Sequence, residues 1–229
     1  MTGRQLRDGR KHKGWTQQVA AAKLGVSQPY LALMENEGRR VPEKLARKVT
    51  QVYRLSLSLL PFETDCREAP RCEEQDIAGY LAGLGYPGLE YLRPAKKMNP
   101  AEALFAALNC YNLESRLTEA LPWVVLEYPD LDWKWLIAAA KMHNLQNRLG
   151  FVTTMARKLA ERSGNQSLAR ALRQHEAILE RARLVHEDTL CHQSLSDAER
   201  SWIREKRPPE ARHWNLLTDL LPEHLSYAG

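Results

Sequence analysis

The chain has 229 residues, 44% of them hydrophobic and with a formal net charge of +5, which is ordinary for a folded globular protein. No segment approaches the roughly 18 consecutive apolar residues that a membrane-spanning helix needs, and residues 1–8 lack the apolar core of a secretory signal peptide. We therefore expect a cytoplasmic protein with no membrane partner.

The positive charge is concentrated at the start of the chain. Residues 1–54 hold twelve Lys and Arg against four Asp and Glu, a balance of +8, whereas residues 55–229 sum to −3. A basic first quarter joined to a slightly acidic remainder is expected when one end of a protein meets a polyanion and the other meets protein. A solvated basic face is the alternative that charge alone leaves open.

Residues 14–42 have the pattern of two short helices joined by a tight turn. Thr16 is suited to cap the first helix, Gly25 supplies a permissive turn, and Ser27 is suited to cap a second helix that ends near Glu35. We expect the two helices to pack against each other through small or apolar side chains: Ala20, Ala21, Val26, Leu31 and Met34.

In such a unit the second helix lies in the major groove of DNA, with its first turn near the base edges. Gln28 opens that helix, and a glutamine side chain can bond both N6 and N7 of adenine; a solvated or phosphate-bonding glutamine is the alternative. Tyr30 is expected either to contact a thymine methyl group or a phosphate, or to pack. Arg39 and Arg40 follow in a loop beside the helix, where the DNA backbone passes.

Residues 4–60 resemble the Xre family of phage-repressor-like helix-turn-helix domains. The resemblance is carried by Thr16, Gln17, Ala21, Leu24, Gly25, Val26, Ser27, Leu31, Glu35, Asn36 and Gly38. It implies that Gln17 bonds a phosphate, that Gln28 reads a base, and that Arg10 forms an ion pair with Glu35. The candidate DNA-binding residues are Thr16, Gln17, Ser27, Gln28, Pro29, Tyr30, Asn36, Arg39 and Arg40.

This chain departs from the family pattern at three positions. Ala20 stands where the family usually has leucine, and Trp15 is available to recover the lost apolar volume. Leu33 stands where base-reading members often carry a polar residue. Pro29 cannot donate a backbone hydrogen bond.

Residues 61–73 are expected to form a linker, because hydrophobic periodicity lapses there and two prolines appear. The segment contains Cys66 and Cys72. The four cysteines of the chain form no CxxC pair and show no zinc-finger spacing, so reduced, unligated thiols are expected. A bridge or oxidant sensor formed by Cys66 and Cys72 is the alternative.

Residues 74–229 are expected to form a helical domain for dimerisation or partner binding. Helical periodicity covers 74–84, 100–121, 130–149, 151–163, 166–187, 196–206 and 209–220. Residues 121–135 contain three tryptophans, which either fill a core or line a ligand or partner surface. We expect two further tryptophans to anchor the core and three polar residues to form a network beside them: Trp202, Trp214, Asn144, Asn147 and Arg148.

No pattern of catalysis is present. The sequence lacks a phosphate-binding GxxxxGK[ST], a GxGxxG and a GxSxG. In residues 186–192, Asp188 would share a helix face with His192, and Glu187 with Cys191. Because neither pair has a third ligand, a polar helix face is favoured over a metal site, and no enzyme activity, metal or cofactor is expected.

Together these patterns predict an all-α protein with a five-helix repressor-like domain at residues 1–60, a linker at 61–73 and a helical domain at 74–229. The expected function is that of a sequence-specific transcriptional regulator, a repressor acting as a homodimer on a near-palindromic operator in double-stranded DNA. The alternative is an antitoxin of a toxin–antitoxin or phage-defence operon, which neutralises a protein partner and represses its own promoter. A small-molecule sensor is a third hypothesis.

Overall fold

The computed structural model describes residues 1–63, 65–68, 72–92 and 97–225. The chain divides into two compact units, Met1–Glu63 and Thr64–Gly229. Parts of the predicted linker (64 and 69–71) and of the predicted second domain (93–96 and 226–229) lie outside the described residues. The prediction of an all-α fold is confirmed, since the described residues are mainly helical and contain one pair of two-residue strands.

The first unit has four α-helices: α1 (Gly3–His12), α2 (Gln17–Leu24), α3 (Gln28–Glu35) and α4 (Glu43–Tyr53). The expected fifth helix is only a single 3-10 turn, Leu57–Leu59. Left-handed Arg54 (φ 54°) ends α4, and Leu60 is extended at ψ 142°. Leu60 precedes a proline, which disfavours the helical conformation of the residue before it.

Local hydrogen bonds set the helix ends that frame the turn. The Thr16 hydroxyl accepts a bond from the Val19 N–H at 3.2 Å, and the Ser27 hydroxyl accepts one from the Tyr30 N–H at 3.4 Å. Gly25 lies in the left-handed region at φ 69°, which costs glycine least. These contacts begin α2 and α3 at the residues that follow their caps.

The core of the first unit draws on all four helices. Its buried members are Leu6, Ala20, Ala21, Leu24, Leu31, Met34, Leu45, Val49 and Tyr53. Trp15 packs against this cluster with its ring edge-to-face on Tyr53, the ring centres lying 5.5 Å apart. Trp15 therefore adds aromatic volume to this core.

The second unit contains eight α-helices in its described part. They are α5 (Glu74–Leu84), α6 (Pro100–Asn109), α7 (Ser115–Glu127), α8 (Trp133–Met142), α9 (Gln146–Arg162), α10 (Gln166–Glu180), α11 (Asp197–Lys206) and α12 (Pro209–His213). Helix α5 has its predicted bounds. The predicted single helices at 100–121 and 130–149 are wrong, because each covers parts of two helices.

The breaks have local causes. The chain leaves α6 at Cys110, whose backbone is extended, and α7 begins after Glu114. The Asp132 side chain caps α8 by accepting the Trp135 N–H at 3.0 Å. Asn144 has φ 58° and separates α8 from α9. The predicted helix 166–187 ends at Glu180. The predicted 209–220 helix is reduced to α12.

Two short parallel strands follow, one just after the predicted 166–187 segment and one within the predicted 209–220 helix. They are β1 (Asp188–Thr189) and β2 (Leu216–Leu217), paired as Asp188 with Leu216 and Thr189 with Leu217. Residues 186–192 are therefore not helical, so the predicted shared helix faces within that segment are wrong.

Helix α9 lies at the centre of the second unit, in contact with α7, α8, α10 and α12. Trp214 is a core anchor as expected, with its indole N–H donating to the Thr154 hydroxyl at 2.8 Å. A Cβ at Gly150 would lie 2.4 Å from the Trp214 ring, so only glycine permits this approach. Trp202 is 51% exposed, and its predicted core position is wrong.

Buried polar groups connect α9 to the segment after α10. The Arg148 guanidinium donates to both carboxylate oxygens of Asp188, at 2.7 and 3.0 Å, and to the Leu108 carbonyl at 2.7 Å. The Asn147 amide bonds the N–H and the carbonyl of Leu184, both at 2.9 Å. These contacts satisfy polar groups that would be costly to bury alone.

Candidate nucleic-acid interface

Helix α3 has one side in the core and one side in solvent. Leu31, Met34 and Glu35 are buried, whereas Gln28 and Leu33 are exposed. The candidate residues Pro29 and Asn36 are also exposed. The exposed side therefore includes the beginning of the helix, as a groove-reading helix requires.

A chain of hydrogen bonds joins the exposed start of α3 to its buried end. The Gln28 amide nitrogen donates to the Gln17 side-chain oxygen at 2.9 Å, and the Gln17 amide nitrogen donates to the Glu35 carboxylate at 3.0 Å. Each glutamine amide has a second hydrogen, and the Gln28 oxygen can still accept. Gln17 thus restrains Gln28 and leaves it the donor and acceptor that recognition of adenine needs.

The carboxylate at the end of this chain is held by an arginine of α1. Arg10 bonds Glu35 through two nitrogens, at 2.6 and 2.8 Å, and donates to the Trp15 carbonyl at 2.8 Å. The structure therefore places in direct contact the two residues whose pairing the resemblance implies. Burial raises the pKa of Glu35, but hydrogen bonds from Arg10 and Gln17 and the nearby charges outweigh burial and leave that pKa below its usual value.

Arg7 also takes part in this cluster, although it is not among the candidate residues named from the sequence. Its guanidinium donates to the Glu35 carbonyl at 2.8 Å and to the Asn36 side-chain oxygen. Arg7 lies three residues before Arg10, on the same face of α1, and that spacing was the available signal. The bond from Arg7 therefore restrains the Asn36 side chain, although Asn36 remains exposed to solvent.

The loop after α3 places an arginine over an aromatic ring. Glu37, at φ 60°, turns the chain, and the Gly38 N–H donates to the Leu33 carbonyl at 2.9 Å. The Arg39 guanidinium lies 4.9 Å from the centre of the Tyr30 ring, within cation–π distance. Tyr30 is half-buried and packs against the core, so it both packs and positions a cation.

The exposed surface of the unit is rich in cations. The exposed basic residues are Arg4, Lys11, Lys23, Arg39, Arg40, Lys44, Lys48 and Arg54. The hydroxyls of Thr16 and Ser27 are engaged as helix caps. The candidate residues thus occur on α2, α3 and the following loop of one positively charged unit.

A comparison with protein families identifies this unit. Residues 6–60 match the family described as helix-turn-helix. Residues 6–60 are a helix-turn-helix domain of the Xre-like kind. The helix-turn-helix domain makes this chain a DNA-binding transcription regulator in general terms. Neither a curated protein nor a solved structure matches the chain.

In the second unit, Glu187, Asp188 and Cys191 are each held in an ion pair or buried. Outside the helix-turn-helix domain, Asp188 is bound to Arg148, and Glu187 pairs with Arg204 at 2.6 Å and Arg207 at 3.0 Å. Cys191 is fully buried, which raises its pKa to about 12. Among the described residues, no group of three His, Cys, Asp or Glu side chains is placed to hold a metal ion.

The aromatic side chains of residues 121–135 contact other rings of the protein. Trp123 lies edge-to-face on Tyr86, with ring centres 5.2 Å apart. Trp133 stacks on His175 at 4.2 Å, and Trp135 is edge-to-face on Phe105 at 5.6 Å. These contacts favour the core-filling interpretation of the segment.

The two cysteines of the predicted linker, Cys66 and Cys72, lie among the described residues. Cys66 and Cys72 are free thiols, and burial raises the pKa of Cys72. A thiol with a raised pKa is less ionised and so less reactive.

None of the helices in the described ranges has the length and apolar character required to cross a membrane.

Proposed function

We propose that this protein is a sequence-specific transcriptional repressor that binds a near-palindromic operator as a homodimer. The observation that carries the proposal is the Gln17–Gln28 bond, which restrains an exposed glutamine at the start of α3. One domain offers few base contacts. A dimer doubles them and spaces its half-sites by one helical turn, roughly 34–36 Å.

In the proposed complex the two glutamines have separate roles. The Gln28 oxygen accepts a bond from N6 of an adenine, and its second amide hydrogen bonds N7. Gln17, whose first amide hydrogen goes to Glu35, donates its second to a phosphate. Reading and anchoring are thereby coupled through the bond that joins the two side chains.

The remaining candidate residues would surround these two. Arg39 and Arg40 would contact phosphates from the loop after α3. Contacts with the DNA backbone fix the position and orientation of the protein on the duplex but carry no sequence information directly. Further contacts to sugar, phosphate or base are proposed for Thr16, Ser27, Pro29, Tyr30 and Asn36.

The second unit would supply the protein contact. Six large apolar side chains are exposed on its described residues: Tyr91, Tyr111, Met142, Ile178, Val185 and Trp202. A protein partner that covers some of these side chains would remove their apolar surface from water. That partner is a second copy in the leading proposal and a toxin in the alternative, the antitoxin of a toxin–antitoxin or phage-defence operon. Co-expression with the product of the neighbouring reading frame separates them, since only an antitoxin relieves its toxicity.

Selection of bound sites from random duplex DNA tests the leading proposal. We expect a motif with two inverted half-sites about one helical turn apart and, by analytical ultracentrifugation, a dimer. Recovery of no motif would contradict sequence-specific binding. A monomer both free and on DNA would contradict the palindromic operator.

Gln28→Ala is expected to weaken binding to the selected site by about 1–3 kcal/mol and to flatten base preference at one position in each half-site, because the bidentate contact is lost. Gln18→Ala, which removes an exposed glutamine from α2, is the matched control and should leave the motif unchanged. Repeating the site selection with both variants measures the base preference at that position. An unaltered motif for Gln28→Ala would show that Gln28 does not read a base.

Tyr30→Ala is expected to weaken DNA binding about two- to fivefold, because Arg39 loses an exposed cation–π contact of about 0.5–1 kcal/mol. Tyr30→Phe keeps the ring and should bind almost as tightly as the wild type. Fluorescence anisotropy at one salt concentration on operator and scrambled duplex measures both variants. If Tyr30→Phe lost as much as Tyr30→Ala, the hydroxyl rather than the ring would be the functional group.

A further inference from the structure

Leu33 is an exposed apolar side chain of α3, the helix that begins at Gln28. Within residues 1–63, all of which the structure describes, the exposed large hydrophobic side chains are Val19 at 43% and Leu33 at 53%. Val19 belongs to α2, whereas Leu33 lies on the outer side of α3, one turn after exposed Pro29. Pro29 and Leu33 therefore form an apolar strip beside the glutamine.

The chemistry of the major groove limits what such a strip can contact. Purine N7 and O6, adenine N6, cytosine N4 and thymine O4 are hydrogen-bonding groups, and the thymine C5 methyl is the apolar group presented there. A leucine pressed against a hydrogen-bonding group would remove water from it without replacing the bond, which is unfavourable. A leucine against the methyl group instead buries apolar surface on both partners.

We infer that Leu33 is a specificity-determining residue that reads the C5 methyl of a thymine in each half-site, an inference that rests on the proposed function. The helix also sets the register. Leu33 is five residues after Gln28, about 7.5 Å along the helix axis, and successive base pairs are about 3.4 Å apart. The rise spans at most about two base pairs along the DNA axis, so the thymine is expected within about two base pairs of the pair that Gln28 reads.

Replacement of thymine by deoxyuridine in the selected operator tests the inference, because it removes the methyl and leaves every hydrogen-bonding group in place. The wild-type protein should bind about fourfold more weakly when one half-site is changed at the critical position, the effect of one buried methyl-sized group. Changing both half-sites should give about fifteenfold. Deoxyuridine at thymines outside the contacted positions should have no effect.

Two variants assign the effect to a residue. Leu33→Ala should bind the thymine and deoxyuridine operators with equal affinity, since the methyl loses its contact. Val19→Ala removes the other exposed apolar side chain of the same unit and should retain the wild-type discrimination. Leu33 is exposed, so its truncation should leave the unfolding temperature nearly unchanged, and differential scanning fluorimetry checks that both variants are folded.

The outcomes separate the two proposals. A protein that selects no motif contradicts the proposed function. A protein that selects a motif but binds every deoxyuridine operator as well as the thymine operator overturns the role of Leu33 alone. The inference is likewise overturned if Leu33→Ala keeps the wild-type preference for thymine.

Discussion

Glu35→Gln is expected to lower the free energy of unfolding of residues 1–63 by about 3 kcal/mol, because Arg10 would lose its carboxylate partner in a largely buried site. The Glu35 side chain is fully buried and that of Arg10 is 11% exposed. Hydrogen exchange of amides from residues 1–63 in the full chain measures the change within this unit.

Two further variants test the cause. Glu37→Gln makes the same chemical change two residues away at an exposed position and should cost well under about 1 kcal/mol. The double variant Arg10→Met with Glu35→Leu should lose less than the sum of its single changes, since it leaves no charge buried alone. An equal cost for Glu35→Gln and Glu37→Gln would contradict a structural ion pair.

The pH dependence of the stability that the Arg10–Glu35 ion pair contributes follows from the lowered pKa of Glu35. A group whose folded-state pKa lies below its unfolded value stabilises the fold above the unfolded pKa, about 4.3 for glutamate. The contribution is lost as the pH falls through the folded pKa. The difference in stability between wild type and Glu35→Gln should therefore be constant near neutrality and shrink below about pH 4.

Replacing Arg39 and Arg40 together with alanine is expected to weaken binding to operator and scrambled DNA by similar factors. Each lost phosphate contact reduces the slope of log K against log salt by about 0.9, because one fewer counterion is released. The slope should fall by about 1.8 for each protomer and by twice that for a dimer. Salt titrations of wild type and double variant on both duplexes measure it.

A matched charge change in the second unit serves as the control. Lys134→Ala with Lys141→Ala removes two exposed cations from α8 and should leave the salt slope unchanged. Equal slopes for the arginine variant and the wild type would contradict phosphate anchoring. A loss confined to the operator would instead identify these arginines as base readers.

Much of the helix-turn-helix domain follows from local signals in the sequence. The caps at Thr16 and Ser27 and the left-handed turn at Gly25 depend on atoms within three residues, so the residue types alone predict where α2 and α3 begin. The spacing of apolar residues likewise predicts which side of α3 is buried. The same reasoning predicted both ends of α5.

Periodicity was insufficient where the chain changes direction without glycine or proline. Residues 100–121 and 130–149 each retain apolar spacing across a break, and the break at Asn144 depends on a left-handed conformation that its sequence pattern does not reveal. Loops that themselves contain apolar residues, such as Leu113 in the core, continue the pattern of the helices they separate. Hydrophobic spacing records burial, and burial is shared by helix and loop.

The sequence by itself determined the composition of the site, and the tertiary structure decided its connections. The bonds from Gln28 to Gln17 and from Gln17 to Glu35 join two helices, and the placement of Arg39 over Tyr30 requires the loop to fold back on α3. Trp202 and Trp214 both occur in helix-forming segments, but only Trp214 is buried. Its burial depends on the space that Gly150 leaves on α9. Such contacts depend on how elements distant in the sequence pack, which no local pattern specifies.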